Sequence, residues 1–530
     1  MKKVGYILFG LLCLNQNIFG QESKNKNYQD NQWHLKDLKK DNVAGTSTEL
    51  AYKELLKKKK SKTVIVAVID GGVDTHHEDL QDKIWTNKGE VANNNVDDDN
   101  NGYIDDIHGW SFIGGKDGDV LYENYEIVRI YKKLSEQYSD SVSAETRDSE
   151  EYQYWLGIRD SVHNQVRTVV SNFEYYSRIK STYDYYVEFL KKETNSDELS
   201  VKKINSLPRT DSTIIRAQEF MELIYQYYGS LETDFDQVLD VLDDELKMYN
   251  VNADYRSLVG DNPNDPTEQY YGNNNVMGPD AEHGTHVAGI IAGTRNNKIG
   301  INGVADNVII MPIRAVPEGD ERDKDVANAI RYAVDNGAQI INMSFGKAFS
   351  PNKEVVDAAI KYAMTKSVIM VHAAGNDGQD IGITPSYPVK YYTEGDSARL
   401  WIEVGASTST ADEMLPADFS NYSKIRVDVF APGEDIMSTL PDNTYDELGG
   451  TSMAAPIVSG IAALLLSYYP ELSPEQVVEI IKKSSVKYPD LEVITPGTMD
   501  ELTSFSQLSN TAGVVNTYKA LKIAEEYSSK

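Results

Sequence analysis

An apolar stretch broken only by the small residues Ser459 and Gly460, Ile457 to Leu466, follows directly on Gly450-Thr451-Ser452-Met453-Ala454-Ala455-Pro456. A helix built from it has no polar face to turn toward water, so it must be buried against a sheet inside a large core. The mouth of that helix carries a lone serine among small residues. Glycine at 450 permits close backbone approach, and the first N–H groups of a helix favour negative charge on a reacting oxygen. Ser452 therefore sits where a nucleophile belongs, although Gly-Thr-Ser strings also serve as turns and helix caps.

Two further strings supply partners. Val64-Ile65-Val66-Ala67-Val68-Ile69-Asp70-Gly71-Gly72 reads as a buried parallel strand presenting Asp70 at its carboxyl end. His283-Gly284-Thr285-His286-Val287-Ala288-Gly289 puts a histidine ahead of a small-residue helix, in a chain with only 8 histidines. Acid, base and nucleophile thus occur in the order Asp70, His283, Ser452, one of the convergent orders of the serine triad. Singly, the aspartate also reads as a strand end and the histidine as a core residue; jointly they point to acyl transfer. Strand-like and helical runs alternate beyond residue 300: Val308–Ile313, Asp325–Asn336, Gln339–Met343, Val355–Lys366, Val368–Ala373, Trp401–Gly405. That rhythm predicts an α/β fold, a doubly wound, mostly parallel sheet with its site at the carboxyl ends of the strands.

These strings, in this order, resemble the subtilisin-like serine proteases, the subtilase family, over roughly residues 28–115 and 270–525. The resemblance implies a secreted endopeptidase with a subtilisin-like sheet. Ser452 would attack a peptide carbonyl, His283 would carry the proton, and Asp70 would orient the imidazole. Ile341 to Gly346 is similar to the family's cleft strand, which implies Ser344, Phe345 and Gly346 as one substrate wall. His372 to Asn376 is similar to its oxyanion segment, which implies Ala374 and Gly375 as the other wall and Asn376 as the side-chain donor. His286 is structural by the same comparison. One departure stands out: Gly71 replaces the Ser or Thr that usually follows the aspartate, removing a hydroxyl near the carboxylate.

Lys2 and Lys3, then Val4 to Leu14 and a small residue at Gly20, predict a signal peptide over 1–20, hence export to the periplasm or exterior. The apolar run is too short to span a membrane. Cys13 is the only cysteine, and bulky Leu12 before it argues against lipid attachment. A mature chain without cysteine has no disulfides, and a formal charge of −30 makes calcium the natural brace. The resemblance implies one site from the side chains of Gln29, Asp79 and Asn297 and the carbonyls of Thr294, Ile299 and Ile301. The residues themselves suggest a second: Asp97, Asp99 and Asn101 stand at positions one, three and five of a loop with Gly102 at six, like half an EF-hand. Position twelve is His108 instead of glutamate, which leaves completion to Asp105 or Asp106, or the loop as a solvated acidic turn. No basic stripe matches a nucleic acid.

Asp70 and His283 lie 213 positions apart (283 minus 70). A helical insertion over about 116–260 accounts for this, dividing the remaining sheet domain into 21–115 and 261–530. Val162, Val166, Val169, Phe173, Tyr176, Lys180, Tyr183, Val187 and Leu190 recur at alternating four and three, the seam of a long helix. A second series runs through Ile214, Phe220, Ile224, Tyr227, Phe235, Leu239 and Leu242. Trp33 already resembles the start of a mature domain, which leaves no room for the usual inhibitory propeptide after the leader. The partner expected is a peptide or protein substrate, whether the role is general digestion or narrow maturation; a protease fold that binds without turnover is the remaining alternative. Oligomeric state is not encoded in any motif.

Overall fold

The computed structural model describes residues 28–141 and 143–528. The leader, Cys13 included, and the Gln29 side chain lie outside the described residues. The chain divides into two compact units, one of residues 127–253 and one that joins the segments on either side.

The larger unit is built on a nine-stranded sheet. In chain order its strands are β1 (Val64–Asp70), β2 (Trp110–Ser111), β3 (Val308–Arg314), β4 (Ile340–Met343), β5 (Ile369–Ala373), β6 (Trp401–Ser407), β7 (Val429–Pro432), β8 (Val486–Lys487) and β9 (Gly513–Val514). Their spatial order is β8-β9-β7-β6-β5-β4-β1-β3-β2. All neighbours are parallel except β8 and β9. β1 is rich in β-branched residues and buried at every position but Ile65, as a strand covered on both faces must be. Its register sets Asp70 beside Arg314 of β3, while Ile69 faces Met343 of β4.

Six helices cover this sheet: α1 (Glu282–Ala292), α2 (Asp323–Asp335), α3 (Lys353–Thr365), α4 (Thr451–Tyr468), α5 (Pro474–Ser484) and α6 (Thr517–Ser528). α2 packs on α3, whereas α4 contacts α1, α5 and α6 and lies across β4 to β7. α4 is the apolar helix expected from the sequence. It alone among the described residues has the length and hydropathy of a membrane span, yet 89% of that stretch is buried inside the unit. Near the carboxyl terminus Val514 lies in β9, and helix α6 begins at Thr517.

The smaller unit is helical. Helix Glu150–Thr194 starts at a Ser149 cap and ends at Asn195 in the left-handed conformation. Val162, Val169, Tyr176 and Leu190 of the expected seam are buried, and the seam continues back through Ile158, Trp155 and Tyr152. Lys180 interrupts the apolar stripe to bind Asp184 at 2.7 Å and Asp236 at 3.3 Å. The second series is two helices, Ser212–Tyr228 and Phe235–Met248, separated at Gly229 with φ +70°. Tyr227, expected in the seam, is 73% exposed, and Tyr228 packs against the cluster of Ile224, Phe235 and Leu242 instead.

Residues 116–126 and 254–260, which sequence pattern alone assigns to the insertion, belong with the sheet. Side-chain chemistry explains the difference. Buried Arg314 donates to the carbonyls of Gly71, Ile113 and Val120, fastening the 111–120 hairpin beside β1. Arg256 donates to both carboxylate oxygens of Asp325 at 2.7 Å and to those of Asp261 at 2.8 Å, and Lys324 binds Asp261 as well. All four charges are buried. Removing one cation from such a group strands its partners, at a cost of about 3–5 kcal/mol. Arg256→Met should lower unfolding free energy by that amount in a denaturant titration; a change within about 0.5 kcal/mol, the range of ordinary surface substitutions, would show that the network is not structural.

Candidate active site

The site is assembled where three strands end. Asp70 closes β1, Ser344 follows β4, and Asn376 follows β5, so the parallel register alone brings them to one edge. α1 adds His283 in its first turn. Gly284 makes that possible: a Cβ there would lie 2.1 Å from the Gly72 carbonyl and 3.1 Å from Asp70 Oδ1.

His283 Nδ1 and Asp70 Oδ1 are 2.8 Å apart. The carboxylate is nearly fully buried, whereas the imidazole is 43% exposed. Partial burial pulls the His283 pKa down, but the charge and hydrogen bond of Asp70, helped by Glu318 and Asp280, outweigh it and hold the pKa above the ordinary 6.5. Asp70 Oδ1 also accepts from the Gly71 amide at 2.8 Å. With glycine at 71 no hydroxyl reaches the other oxygen, and Asp70 Oδ2 is buried without a hydrogen-bond partner. His286, three residues along α1, is different. Burial drives its pKa to about 3, its Nε2 lies 3.2 Å from the Asp446 carbonyl, and it stays neutral in the core.

Ser452 is the second residue of α4, so its N–H has no intrahelical acceptor. Its hydroxyl donates to the Ser344 carbonyl at 3.1 Å and makes no hydrogen bond to His283. Around it runs a polar chain. Ser459 donates to Asn342 Oδ1 at 2.7 Å, Asn342 Nδ2 to Ser344 Oγ at 2.9 Å, and Ser344 Oγ to the Ser452 carbonyl at 2.9 Å.

Asn376 Oδ1 accepts from both the backbone N–H and the hydroxyl of Thr451, at 2.8 and 2.9 Å. Fixing the oxygen this way commits the amide nitrogen to the other side. The point that a Cβ on Gly450 would occupy lies 3.3 Å from Asn376 Nδ2 and 3.6 Å from the Ser452 nitrogen, so two donor nitrogens lie close to the same small space beside the serine. Two positioning residues carry no motif of their own. Thr451 also accepts from the Gly375 amide at 3.0 Å. Asn421 donates to the Ala374 carbonyl at 2.9 Å and accepts from the amides of Asp377 and Gln379, pinning the loop that presents Asn376. Thr451 was visible in its string beside the serine; Asn421 gave no sequence signal.

Ser344, Phe345 and Gly346 follow β4, and Ala374, Gly375 and Asn376 follow the neighbouring β5. A cleft beside the imidazole is lined by Gly71, Leu121, Asp280, Val316 and Glu318.

Of the expected cation ligands, Asp79 is fully buried. Its carboxylate accepts from Asn297 Nδ2 at 2.5 Å and from the Ile301 amide at 2.9 Å. Burial raises its pKa to about 6. The carbonyls of Thr294, Ile299 and Ile301 accept no hydrogen bond among the described residues. Asn297 Oδ1 accepts from the Ile299 amide at 3.2 Å, and a buried carboxylate with uncommitted carbonyls in the loop that contacts it is the oxygen chemistry a hard cation takes. The second loop departs from expectation. Asp97 spends both oxygens on the amides of Asn101 and Gly102, and His108 points to the Trp85 carbonyl. The carboxylates that converge are Glu90, Asp99 and Asp106, with ligand atoms within 4.8 Å of one another, and Glu90, like Asp97, accepts backbone N–H groups on both oxygens, from Asp98, Asp99 and Asp105. Asn101 Nδ2 donates into this group at Asp106, 3.0 Å away. Glu90 lies seven residues ahead of the loop, where the EF-hand spacing gave no reason to look.

The Subtilase family model matches residues 61–501. A thermophilic serine proteinase of Bacillus sp. strain AK1 is 43% identical over 186 residues, 35% of this chain and 42% of its own length. Subtilisin DY of Bacillus licheniformis is 40% identical over 197 residues, covering 37% of this chain and 67% of the relative. A solved protease structure from Pseudoalteromonas arctica aligns over 95% of this chain and all of its own, with 19% identity and a TM-score of 0.47. The chain thus spans less than half the length of the first of these relatives. With a match that runs from before β1 to beyond α5, taking in Asp70, His283, Asn376 and Ser452, the chain belongs to the subtilase family.

Proposed function

We propose that this protein is an exported serine endopeptidase that forms an acyl-enzyme on Ser452. The observation that carries this reading is the pairing of a carboxylate-held imidazole with two donors, Asn376 Nδ2 and the Ser452 amide, that lie close to one space beside the serine. Asp70 fixes the proton on His283 Nδ1, which leaves Nε2 as the base. In the free enzyme the Ser452 hydroxyl is parked on the Ser344 carbonyl. Rotation about one side-chain bond frees it to give its proton to Nε2 as it attacks the substrate carbonyl; such contacts commonly tighten only when substrate is bound. The carbonyl oxygen, now negative, takes hydrogen bonds from Asn376 and the Ser452 amide, each worth about 3 kcal/mol of barrier. Collapse breaks the C–N bond, and His283 returns the proton to the leaving amine. Water, deprotonated by the same imidazole, then releases the acyl group. Ser344 to Gly346 and Ala374 to Gly375 flank the substrate chain.

The leader supports export. Without cysteine in the mature chain, calcium is the cross-link we assign, held by Asp79, Asn297 and the carbonyls of Thr294, Ile299 and Ile301, with Gln29 supplying a further ligand. Glu90, Asp99, Asp106 and Asn101 form the second candidate. Bound calcium would neutralise carboxylates that otherwise repel one another.

The decisive experiment is labelling with a fluorophosphonate, which reacts only with an activated serine. Wild-type protein should label and Ser452→Ala should not, with peptide hydrolysis falling on the order of 10⁴-fold or more; equal labelling of both would place the nucleophile elsewhere. Because a protonated His283 cannot act as base, kcat/KM should fall as pH drops through a value above 6.5. Asp280→Asn, by removing one of the charges that raise it, should move that limb to lower pH, and an unmoved limb would mean that Asp280 does not act on His283. Chelation should cost about 2.7 kcal/mol of stability relative to calcium at a hundredfold excess over Kd. Unfolding curves that superimpose with and without chelator would remove the cation from this account.

A further inference from the structure

Lys347 stands directly after the Ser344–Gly346 segment, and its side chain is buried. An ammonium taken out of water needs oxygen partners for its three N–H groups. Three oxygens surround this one: Glu126 Oε2 at 2.8 Å, Asp323 Oδ1 at 2.9 Å and the Glu321 carbonyl at 2.7 Å. Both carboxylates are buried as well. The backbone of Lys347 is committed at the same time. Its N–H donates to the Tyr387 carbonyl at 2.9 Å, and its carbonyl accepts from the Tyr387 amide at 2.8 Å. One residue thus joins the chain that follows β4 to three other segments of the sheet unit.

These partners are held in different ways. Asp323 opens α2 and is anchored independently, with Ser350 Oγ donating to its Oδ1 at 2.9 Å and the Asn352 amide to its Oδ2 at 2.8 Å. The Glu321 carbonyl belongs to the same stretch of backbone. Glu126 comes from a separate segment, 121–126, which ends where the 127–253 segment begins. That stem lies along 318–322. The Glu318 amide donates to the Leu121 carbonyl and the Glu123 amide to the Glu318 carbonyl, both at 2.8 Å, while Arg322 Nε donates to Glu123 Oε2 at 2.7 Å. The Glu126 carboxylate can therefore be removed without unmaking α2 or the backbone pairing of the stem.

On the reading of the site given above, we propose that Glu126 is a positioning residue for extended substrates: its carboxylate holds the Lys347 ammonium, and Lys347 in turn holds the Ser344–Gly346 segment that flanks the substrate chain. Without that carboxylate the ammonium is drawn toward Asp323. Because Lys347 continues the backbone of Gly346, the displacement passes to the groups that a long substrate meets. A substrate too short to run along the segment does not register it, since His283 is held by Asp70, and Asn376 by Thr451.

The test uses the full chain and two substrates that share the residue whose carbonyl is attacked: an N-acetyl amino-acid ester, and a peptide with three further residues ahead of that one. Glu126→Met should lower kcat/KM for the peptide by about tenfold or more, while ester hydrolysis and the rate of fluorophosphonate labelling stay within about twofold of wild type. Glu126→Gln, which keeps an acceptor oxygen, should recover part of the loss. A purely structural role would lower the unfolding midpoint and leave the peptide-to-ester ratio where it was. An unchanged ratio therefore overturns the proposal, and so does an equal loss on both substrates. If Glu126→Met does not fold, Glu126→Gln decides: a loss of about threefold confined to the peptide supports positioning, and a ratio within about twofold of wild type overturns it. Wild-type protein that labels while the ratio stays fixed in the variants removes Glu126 and leaves the hydrolytic reading standing. Wild-type protein that neither labels nor cleaves the ester overturns both.

Discussion

An apolar helix lying on an apolar sheet can slide at little cost, and the hydrogen-bond chain from Ser459 through Asn342 and Ser344 to the Ser452 carbonyl is what stops α4 from doing so. Any slip would leave several buried polar groups unmet, at about 1–3 kcal/mol each. Everything else in the site refers to that register. Thr451 can hold Asn376 Oδ1 only if the helix starts where it does, and Gly450 can keep its space open only if Thr451 is held. The geometry around the serine is thus a consequence of one polar seam within the core.

A second set of buried polar groups does the same for the carboxylate. Arg314, whose pKa burial lowers to about 10, joins Gly71, immediately after Asp70, to the 111–120 hairpin. The aspartate is therefore held from its backbone while one of its oxygens holds the histidine. In a chain whose only cysteine is Cys13, such networks supply bracing that a disulfide would otherwise give.

What sequence reveals and what it hides follows from the range of the interactions involved. The end of β1 was legible because an apolar run followed by a carboxylate and two glycines reports burial and its termination together, whereas the roles of the segments after β4 and β5 came from resemblance to the family's strings. The buried α4 and the long seam through Val162, Val169 and Leu190 were legible because periodicity is local. Tyr227 and Tyr228 are adjacent, and a helix break at Gly229 decides which of them faces inward, so a pattern carried across the break selected the wrong one. Asn421, Arg256 and Glu90 act on residues distant in the chain or outside any fixed spacing, and no local signal marks them. Asp97 fitted a loop template, yet in the fold it caps that loop's own backbone.

Within the sheet unit, the residues that flank the 127–253 segment are tied to one short piece of chain. The Glu126 amide donates to Asp320 at 2.7 Å, and Arg256 grips Asp325 five residues later. The sheet unit therefore treats the 127–253 segment as an interchangeable loop, because its stems are fixed before the loop begins. Chain-closure entropy rises by only about 0.6 kcal/mol for each doubling of loop length, so a segment of more than a hundred residues at this position costs the sheet unit little more than a short turn would.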